Sequence, residues 1–151
     1  LDVHLMVEDP SKYIPLYAEL NTEYITFHVE VGKNIEKYIN LVHSYGIKCG
    51  LAINPDTDLE MLEPYLSMID LVVVMSVVPG YGGQKFIPKT VEKVINLKRL
   101  LVENELNVLI SVDGGINNET VVEIKDFVDM IVSGSYITNN SNYQEAIDSL
   151  R

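Results

Sequence analysis

Short apolar segments alternate with longer amphipathic segments along the chain, which predicts strands separated by helices. The six predicted strands are Leu1 to Val7, Tyr24 to Glu30, Ile47 to Asn54, Leu71 to Ser76, Val108 to Asp113 and Val128 to Ser133. The predicted helices are Lys12 to Leu20 with Ser11 as its cap, Asn34 to Tyr45, Asp58 to Leu66, Pro88 to Asn104, Asn118 to Phe127 and Tyr143 to Arg151. Because parallel strands need long, usually helical connections, this order predicts a parallel sheet of the α/β class.

The division of side chains within each strand favours a closed barrel over an open sheet. On the first strand, apolar Val3 and Leu5 share one face and His4 lies on the other. The strand that ends at Asp113 separates apolar Val112 from the carboxylate in the same way. An open doubly wound sheet would favour strands that are apolar on both faces. Polar groups at the carboxyl ends of strands are typical of a (β/α)8 TIM barrel.

Six strand-helix units are two fewer than a complete barrel contains. A full barrel typically has about 250 residues and rarely fewer than about 200, whereas this chain has 151. The chain also begins at Leu1 inside a predicted strand, without an initiator Met. We therefore expect residues 1–151 to form a single domain that comprises strands three to eight of the barrel, with the first two βα units missing.

Composition and charge argue against nucleic acid and membranes as binding partners of this protein. The formal net charge is −11, from 11 Lys and Arg against 22 Asp and Glu, which argues against binding to nucleic acid. The longest apolar run, Leu71 to Met75, is far shorter than the roughly 18 residues of a membrane-spanning helix. Cys49 is the single cysteine, so no internal disulfide is possible and a cytoplasmic location is expected.

Two groups of polar residues at strand ends are candidates for chemistry. Asp2, His4 and Met6 share the inward face of the first strand, where His4 is either a metal ligand or an interior histidine beside a filling methionine. His28 and Glu30 follow at the end of the second strand, with either a supporting role or a core hydrogen-bonding role.

Three glycine-containing turns are candidates for binding an anion. Val78 to Phe86 follows an apolar strand and is either a phosphate-binding loop or a flexible connector. Asp113 to Gly115 is better interpreted as a strand-to-helix turn than as a β-hairpin, because the residues after it favour a helix start. Ser133 to Ser135 ends the last strand. Barrels commonly place a phosphate site in the last two of their βα turns.

Five segments in the same order together resemble the ribulose-phosphate 3-epimerase family. They are Asp2 to Val7, Thr26 to Glu30, Leu51 to Pro55, Val74 to Phe86 and Val112 to Ile116. The resemblance covers the entire chain, and Met75 to Phe86 is its most specific segment. The Asp-Gly-Gly turn is shared with other phosphate-binding barrels.

The resemblance implies an isomerase of the pentose phosphate pathway, in carbohydrate metabolism, that interconverts D-ribulose 5-phosphate and D-xylulose 5-phosphate. In that family one aspartate removes the C3 proton and a second returns a proton to the opposite face of a cis-enediolate. The resemblance also implies one divalent metal ion, for which zinc, iron(II), manganese and cobalt all suit a site of two histidines and two carboxylates.

The family's site residues are matched by particular positions of this chain. Asp113 matches a catalytic aspartate that is also a metal ligand, and His4 matches a histidine that binds the metal and the substrate. The other substrate-binding residues that the resemblance implies are Met6, Met75, Gly80, Tyr81, Gly82, Gly83, Gly114, Gly115, Gly134 and Ser135.

One part of the family's pattern is absent from these residues. The second histidine ligand and second catalytic aspartate belong to a His-x-Asp-x-Met-Asp-Gly segment, which would precede Leu1. We therefore expect residues 1–151 alone to be inactive and the complete protein to be a homo-oligomer that binds a phosphorylated ketose.

Other functions remain open at this point. An allulose-6-phosphate 3-epimerase would share the same motifs, and a non-catalytic phosphate-binding remnant of the barrel would keep the three glycine turns. Related decarboxylases and aldolases carry Asp-x-Lys where this chain has Asp2-Val3-His4, which disfavours them.

Overall fold

The computed structural model describes all 151 residues, which form one six-stranded sheet with helical connections. The strands are β1 (Asp2–Leu5), β2 (Tyr24–His28), β3 (Lys48–Ile53), β4 (Leu71–Met75), β5 (Leu109–Asp113) and β6 (Met130–Val132). The α-helices are α1 (Ile14–Ala18), α2 (Ile35–Ser44), α3 (Lys89–Glu103), α4 (Val121–Ile124), α5 (Ser135–Thr138) and α6 (Tyr143–Asp148). Four 3₁₀ segments are Pro10–Lys12, Val29–Val31, Leu59–Met61 and Glu63–Met68.

All neighbouring strands pair in parallel, in the order of the sequence from β1 to β6. This confirms the predicted parallel α/β arrangement. The register places Met75 beside Asp113 at the carboxyl ends of β4 and β5, and His4 beside Thr26 in β1 and β2. The carboxyl ends of all six strands therefore meet at one end of the sheet.

The sheet is strongly curled rather than flat. Adjacent strands lie about 4.8 Å apart, so β1 and β5 would be separated by roughly 19 Å in a flat sheet. The Nδ1 atom of His4 on β1 nevertheless lies 3.8 Å from Oδ2 of Asp113 on β5. The inward faces of non-adjacent strands thus converge, as they do in a TIM barrel.

Apolar side chains form two separate clusters on the two faces of the sheet. The outer cluster contains 27 buried residues and fills the space between the sheet and the helices, with Phe27 and Leu51 fully buried in it. The inner cluster is smaller and comprises Tyr24, Ala52, Leu71, Val73, Met75 and Val77. This division matches the alternation of outward and inward side chains along each strand.

The two longest helices cover the outer face through one apolar stripe each. In α2 the buried residues Ile35, Ile39 and Val42 recur at helical spacing, and in α3 Val94 and Leu97 do the same. Burial of these stripes explains why α2 and α3 form almost where the sequence predicts them. None of the helices is long and apolar enough to span a lipid bilayer.

The first predicted helix, Lys12 to Leu20, is wrong in its start and its length. A 3₁₀ turn forms over Pro10–Lys12 and the α-helix is limited to Ile14–Ala18. Asp9, not Ser11, is the cap, because its carboxylate accepts hydrogen bonds from the Ser11 backbone and hydroxyl at 3.2 and 2.5 Å. Pro10 has no N–H to donate, which suits the first position of such a turn.

Other element boundaries also differ from the prediction. The segment predicted as one helix from Asp58 to Leu66 forms two 3₁₀ segments, and Pro64 is the second residue of the second one. The helix predicted over Asn118 to Phe127 is regular only over the four residues of α4. The short helix α5 after β6 was not predicted, since its sequence carries no apolar stripe of helical period.

Candidate active site at the carboxyl ends of the strands

His4 and Asp113 lie together at the carboxyl end of the curled sheet. Their nearest side-chain atoms, His4 Nδ1 and Asp113 Oδ2, are 3.8 Å apart, and the side chains are 19% and 25% exposed. This separation is too long for a hydrogen bond. An imidazole and a carboxylate are thus brought to one partly buried place from opposite sides of the sheet.

The backbone after Asp113 is held by the end of the neighbouring strand. The amide of Ser76 donates to the carbonyl oxygen of Asp113 at 2.8 Å. The buried Ser76 hydroxyl lies 3.0 Å from that same oxygen and 2.5 Å from the carbonyl oxygen of Gly114. These contacts fix the point at which the Asp113 side chain leaves the sheet.

Gly114 and Gly115 allow the turn after Asp113 to approach its neighbours closely. Their φ angles are +122° and +65°, and L-residues rarely adopt such values. A Cβ on Gly114 would lie 2.5 Å from Val77, and one on Gly115 would overlap the backbone of Phe86. The Asp-Gly-Gly sequence is therefore required by both conformation and space.

His28 and Glu30 extend the polar site beyond His4. The Nε2 atoms of His4 and His28 are 2.9 Å apart, and the two rings meet edge to edge with centroids 5.0 Å apart. Nδ1 of His28 lies 3.1 Å from Oε2 of Glu30. The other Glu30 oxygen accepts the backbone N–H of Asn54 at 2.7 Å. His28 thus contacts His4 directly, and Glu30 is connected to His4 through His28.

Glu30 is ionised over the physiological range despite its partial burial. Burial alone would raise its pKa, but hydrogen bonds from His28, Thr57 and the backbone of Asn54 outweigh that effect and hold the pKa at about 2. The carboxylate is therefore a permanent hydrogen-bond acceptor at the edge of the site.

A cavity of about 350 Å³ lies next to Asp113 at the same end of the sheet. All of the predicted substrate-binding residues except His4 line it. Those residues are Met6, Met75, Gly80, Tyr81, Gly82, Gly83, Asp113, Gly114, Gly115, Gly134 and Ser135. The three glycine turns thus surround one space, although they are far apart in sequence.

A second cavity of about 470 Å³ adjoins the first across Met6, Pro79 and Gly80. His28 and Glu30 belong to its lining. The two cavities place the histidine-carboxylate contacts and the glycine turns on one continuous surface.

Three contributors to this end of the molecule were not anticipated from the sequence. Gln84 donates from Nε2 to the carbonyl oxygens of Val78 and Tyr81 at 2.6 and 2.9 Å, which closes the glycine loop on itself. Ser76 and Lys93 likewise bond to backbone carbonyls. Such contacts leave no pattern of spacing in a sequence, because the acceptor is the backbone of any residue type.

His4 and Asp113 are suited to share a divalent cation. Two bonds of about 2.1 Å each, typical of zinc with nitrogen or oxygen, span at most about 4.2 Å, and the observed separation is 3.8 Å. No group of three or more His, Cys, Asp or Glu side chains in residues 1–151 is arranged to hold a metal. These residues therefore fit as two of the ligands of such an ion.

Comparison with known proteins identifies close sequence relatives. The model of the ribulose-phosphate 3 epimerase family matches residues 1–138. Ribulose-phosphate 3-epimerase of Buchnera aphidicola subsp. Baizongia pistaciae is 44% identical over 152 residues, which cover the whole chain and 67% of the relative. The enzymes of that name from Helicobacter pylori J99 and Bacillus subtilis are 40% and 37% identical, and in each case 70% of the relative is covered.

Solved structures with the same fold have little sequence identity to this chain. The tryptophan synthase A-subunit of Pyrococcus furiosus aligns with a TM-score of 0.69 at 17% identity, covering 94% of this chain and 60% of its own. Tryptophan synthase of Mycobacterium tuberculosis aligns with a TM-score of 0.63 at 13% identity, covering 93% and 54%. At such identities the likeness shows the fold alone, and it agrees with the predicted barrel class.

Proposed function

Because this chain belongs to the ribulose-phosphate 3 epimerase family, we propose that its protein interconverts D-ribulose 5-phosphate and D-xylulose 5-phosphate. The observation that carries the proposal is the convergence of Asp113, His4 and the three glycine turns on one end of the sheet. This reaction needs a carboxylate for proton transfer and a site for a phosphorylated sugar, and Asp113 and the glycine turns line the same cavity.

Asp113 is the proposed acid/base on one face of the substrate. The reaction removes a proton from C3, next to the C2 carbonyl, and returns a proton to the opposite face. Asp113 is partly exposed to the cavity and its backbone is fixed by Ser76. A carboxylate in this position can take the C3 proton of one epimer or return a proton to the planar intermediate.

The glycine turns are the proposed phosphate site. Gly82 and Gly83 lie in the loop after β4, Gly114 and Gly115 follow β5, and Gly134 precedes α5. Turns without Cβ atoms leave backbone N–H groups accessible to an anion. The phosphate would then lie in the same cavity that Asp113 lines.

His4 and Asp113 are the proposed metal ligands of this chain. A divalent ion, when bound there, would supply positive charge that stabilises negative charge developing on the substrate. Met6 and Met75 line the cavity nearby and present apolar surface that excludes water.

Deuterium exchange at C3 provides the sharpest test. The natural protein that carries this chain, incubated with D-ribulose 5-phosphate in D₂O, is expected to form D-xylulose 5-phosphate labelled at C3. The Asp113→Asn variant should lose about 10²- to 10⁴-fold in kcat, because the amide cannot transfer the proton. Glu36→Gln, an exposed change on α2, is the matched control and should leave kcat unchanged.

Two results would contradict the proposal. One is an Asp113→Asn variant that keeps more than about a tenth of the wild-type activity. The other is higher kcat/KM for D-allulose 6-phosphate than for D-ribulose 5-phosphate, which would make the six-carbon ketose the substrate. Binding of the phosphorylated sugar without any exchange would instead identify a phosphate-binding protein without turnover.

A further inference from the structure

A continuous chain of polar contacts leads from the loop after β3 to His4. The backbone N–H of Asn54 contacts Glu30, Glu30 contacts His28, and His28 contacts His4, with separations of 2.7, 3.1 and 2.9 Å. Each contact is within hydrogen-bond distance. The final member, His4, directs its remaining ring nitrogen at Asp113.

The direction of each hydrogen bond follows from the groups at its ends. An ionised carboxylate only accepts, so Nδ1 of His28 must carry the hydrogen that Glu30 receives. A neutral imidazole has a single ring hydrogen, so Nε2 of His28 is then an acceptor. The hydrogen between the two rings must therefore belong to Nε2 of His4.

Because the single ring hydrogen of His4 is on Nε2, its Nδ1 atom carries an unshared lone pair. The 3.8 Å distance from this nitrogen to Asp113 agrees with that assignment, because an N–H facing a carboxylate would form a shorter hydrogen bond. We propose that Glu30 and His28 are positioning residues that fix the tautomer of His4, so that its Nδ1 lone pair faces Asp113.

The proposal deepens the proposed function, on which its metal-binding consequence rests. A histidine binds a metal through an unprotonated nitrogen, and a partner on the other ring nitrogen decides which nitrogen that is. Here the partner is a second histidine, itself oriented by a carboxylate. The two rings meet edge to edge with their planes 18° from parallel, so the hydrogen between the two Nε2 atoms lies close to both ring planes.

Glu30→Gln replaces one side-chain oxygen by nitrogen and should reverse the direction of the hydrogen bonds that link residue 30, His28 and His4. Both carboxylate oxygens of Glu30 receive hydrogens, one from Asn54 and one from His28. A glutamine that accepts from Asn54 presents its amide NH₂ to His28 and turns Nδ1 of that ring into an acceptor. His28 then donates from Nε2, and His4 is left with its hydrogen on Nδ1.

Nitrogen-15 NMR of the histidine rings tests the proposal without any activity. The metal-free natural protein is measured at pH 8.5, above the ordinary imidazole pKa of about 6.5. We expect the Nε2–H tautomer for His4 and the Nδ1–H tautomer for His28, and the opposite tautomers in Glu30→Gln. Glu36→Gln is the matched control, because Glu36 is exposed on α2, and it should leave both rings unchanged.

Zinc binding, measured by calorimetry, supplies a second readout. Glu30→Gln should weaken zinc binding about 10- to 100-fold, as loss of an outer partner of a ligand usually does. Glu30→Asp, which keeps two acceptor oxygens, should recover part of that loss. A His4 that carries its hydrogen on Nδ1 in the wild-type protein would overturn the proposal, and so would tautomers unaffected by Glu30→Gln. A protein with the expected tautomers but no epimerase activity would refute the proposed function and leave this inference standing.

Discussion

Individual side chains at the site are held mainly through contacts to backbone groups. Ser76 bonds to the carbonyls after β5, Gln84 to the carbonyls of its own loop, and Glu30 to the N–H of Asn54. A backbone acceptor cannot be lost by substitution of its own residue. The geometry of the turns thus depends on a few side chains that bond to the backbone.

Ionisation of Glu30 should contribute to stability in a defined pH range. Its pKa is lowered from the ordinary value of 4.5 to about 2, because hydrogen bonds to the carboxylate outweigh the opposing effect of burial. A lowered pKa means stabilisation that is complete above about pH 4.5 and lost as the pH falls towards 2. We expect the difference in unfolding free energy between wild type and Glu30→Gln to shrink over that range.

Urea denaturation at pH values from 6 to 3 measures this difference. The comparison with Glu36→Gln removes the general effect of deleting one negative charge, since Glu36 is exposed. A difference between wild type and Glu30→Gln that is constant with pH would show that the carboxylate gains nothing from its three partners.

A substitution at Gly134 can test phosphate binding without disturbing the fold. Its φ is −97°, which other residues tolerate, and a Cβ at this position would meet no atom within 4 Å. Gly134→Val should therefore fold normally, but its side chain would intrude on the cavity. We expect KM for the phosphorylated ketose to rise about tenfold or more, equivalent to about 1.4 kcal/mol, with an unchanged Tm. An unchanged KM would place the phosphate elsewhere.

Residue types at the site could be predicted from the sequence far better than their contacts. His4 and Asp113 stand out as polar residues within apolar strands, and the glycine turns stand out because each follows an apolar strand. The pairing of His28 with His4 could not be derived in the same way, since it depends on how far the strands curl and on ring rotation. The contacts of Lys93 and Gln84 could not be predicted from the sequence, because their partners are backbone carbonyls.

At the scale of elements, Lys93 connects α3 to the loop that follows β3. Its ammonium donates to the carbonyl oxygens of Asn54, Pro55 and Thr57 at 2.8, 2.8 and 2.5 Å. Burial lowers the pKa of Lys93, so the hydrogen bonds must offset the cost of desolvating a charge. This loop also supplies the N–H of Asn54 to Glu30, so the helix and the polar site are coupled.

The Lys93→Met variant should show how much the hydrogen bonds of Lys93 contribute to stability. It keeps most of the aliphatic side chain but leaves three carbonyls without their donor, and we expect a loss of about 1–3 kcal/mol in unfolding free energy. Lys37→Met, on the exposed face of α2, is the control and should change stability by no more than about 0.5 kcal/mol. Equal stability of the two variants in urea denaturation would mean that the carbonyls are satisfied equally well by water.

The six strands and their order were predictable, and the ends of the strands and helices were not. All six strands form where apolar runs predict them, yet β1 stops at Leu5 and β6 spans only Met130–Val132. An apolar pattern alone does not show where the last ladder hydrogen bond of a strand lies. Helix ends depended instead on single residues such as Asp9 and Pro64, whose effect is local and competes with the apolar period.

At the scale of the whole molecule, the curl of the sheet creates the site. His4 lies on β1 and Asp113 on β5, four strands further along the sheet. The two side chains can approach each other only because twist accumulates over the strands between them. The small inner cluster permits this, because Ala52 and Gly50 leave room on the concave face. A Cβ on Gly50 would overlap the side chain of Thr26. The inner face is thus filled by few atoms, which is why the strands can approach one another around it.

If the curl brings His4 and Asp113 to one shared ion, their contributions to metal binding must be coupled. Removing either ligand destroys the same site, so the second removal costs little more. We expect zinc affinities of His4→Ala, Asp113→Asn and the double variant, measured by calorimetry, to give a coupling energy within about 0.5–3 kcal/mol. His43 contacts Asp70 before β4, so His43→Ala combined with Asp113→Asn should be additive. Additive losses for His4 and Asp113 would mean that the two side chains, although 3.8 Å apart, do not act on a common ion.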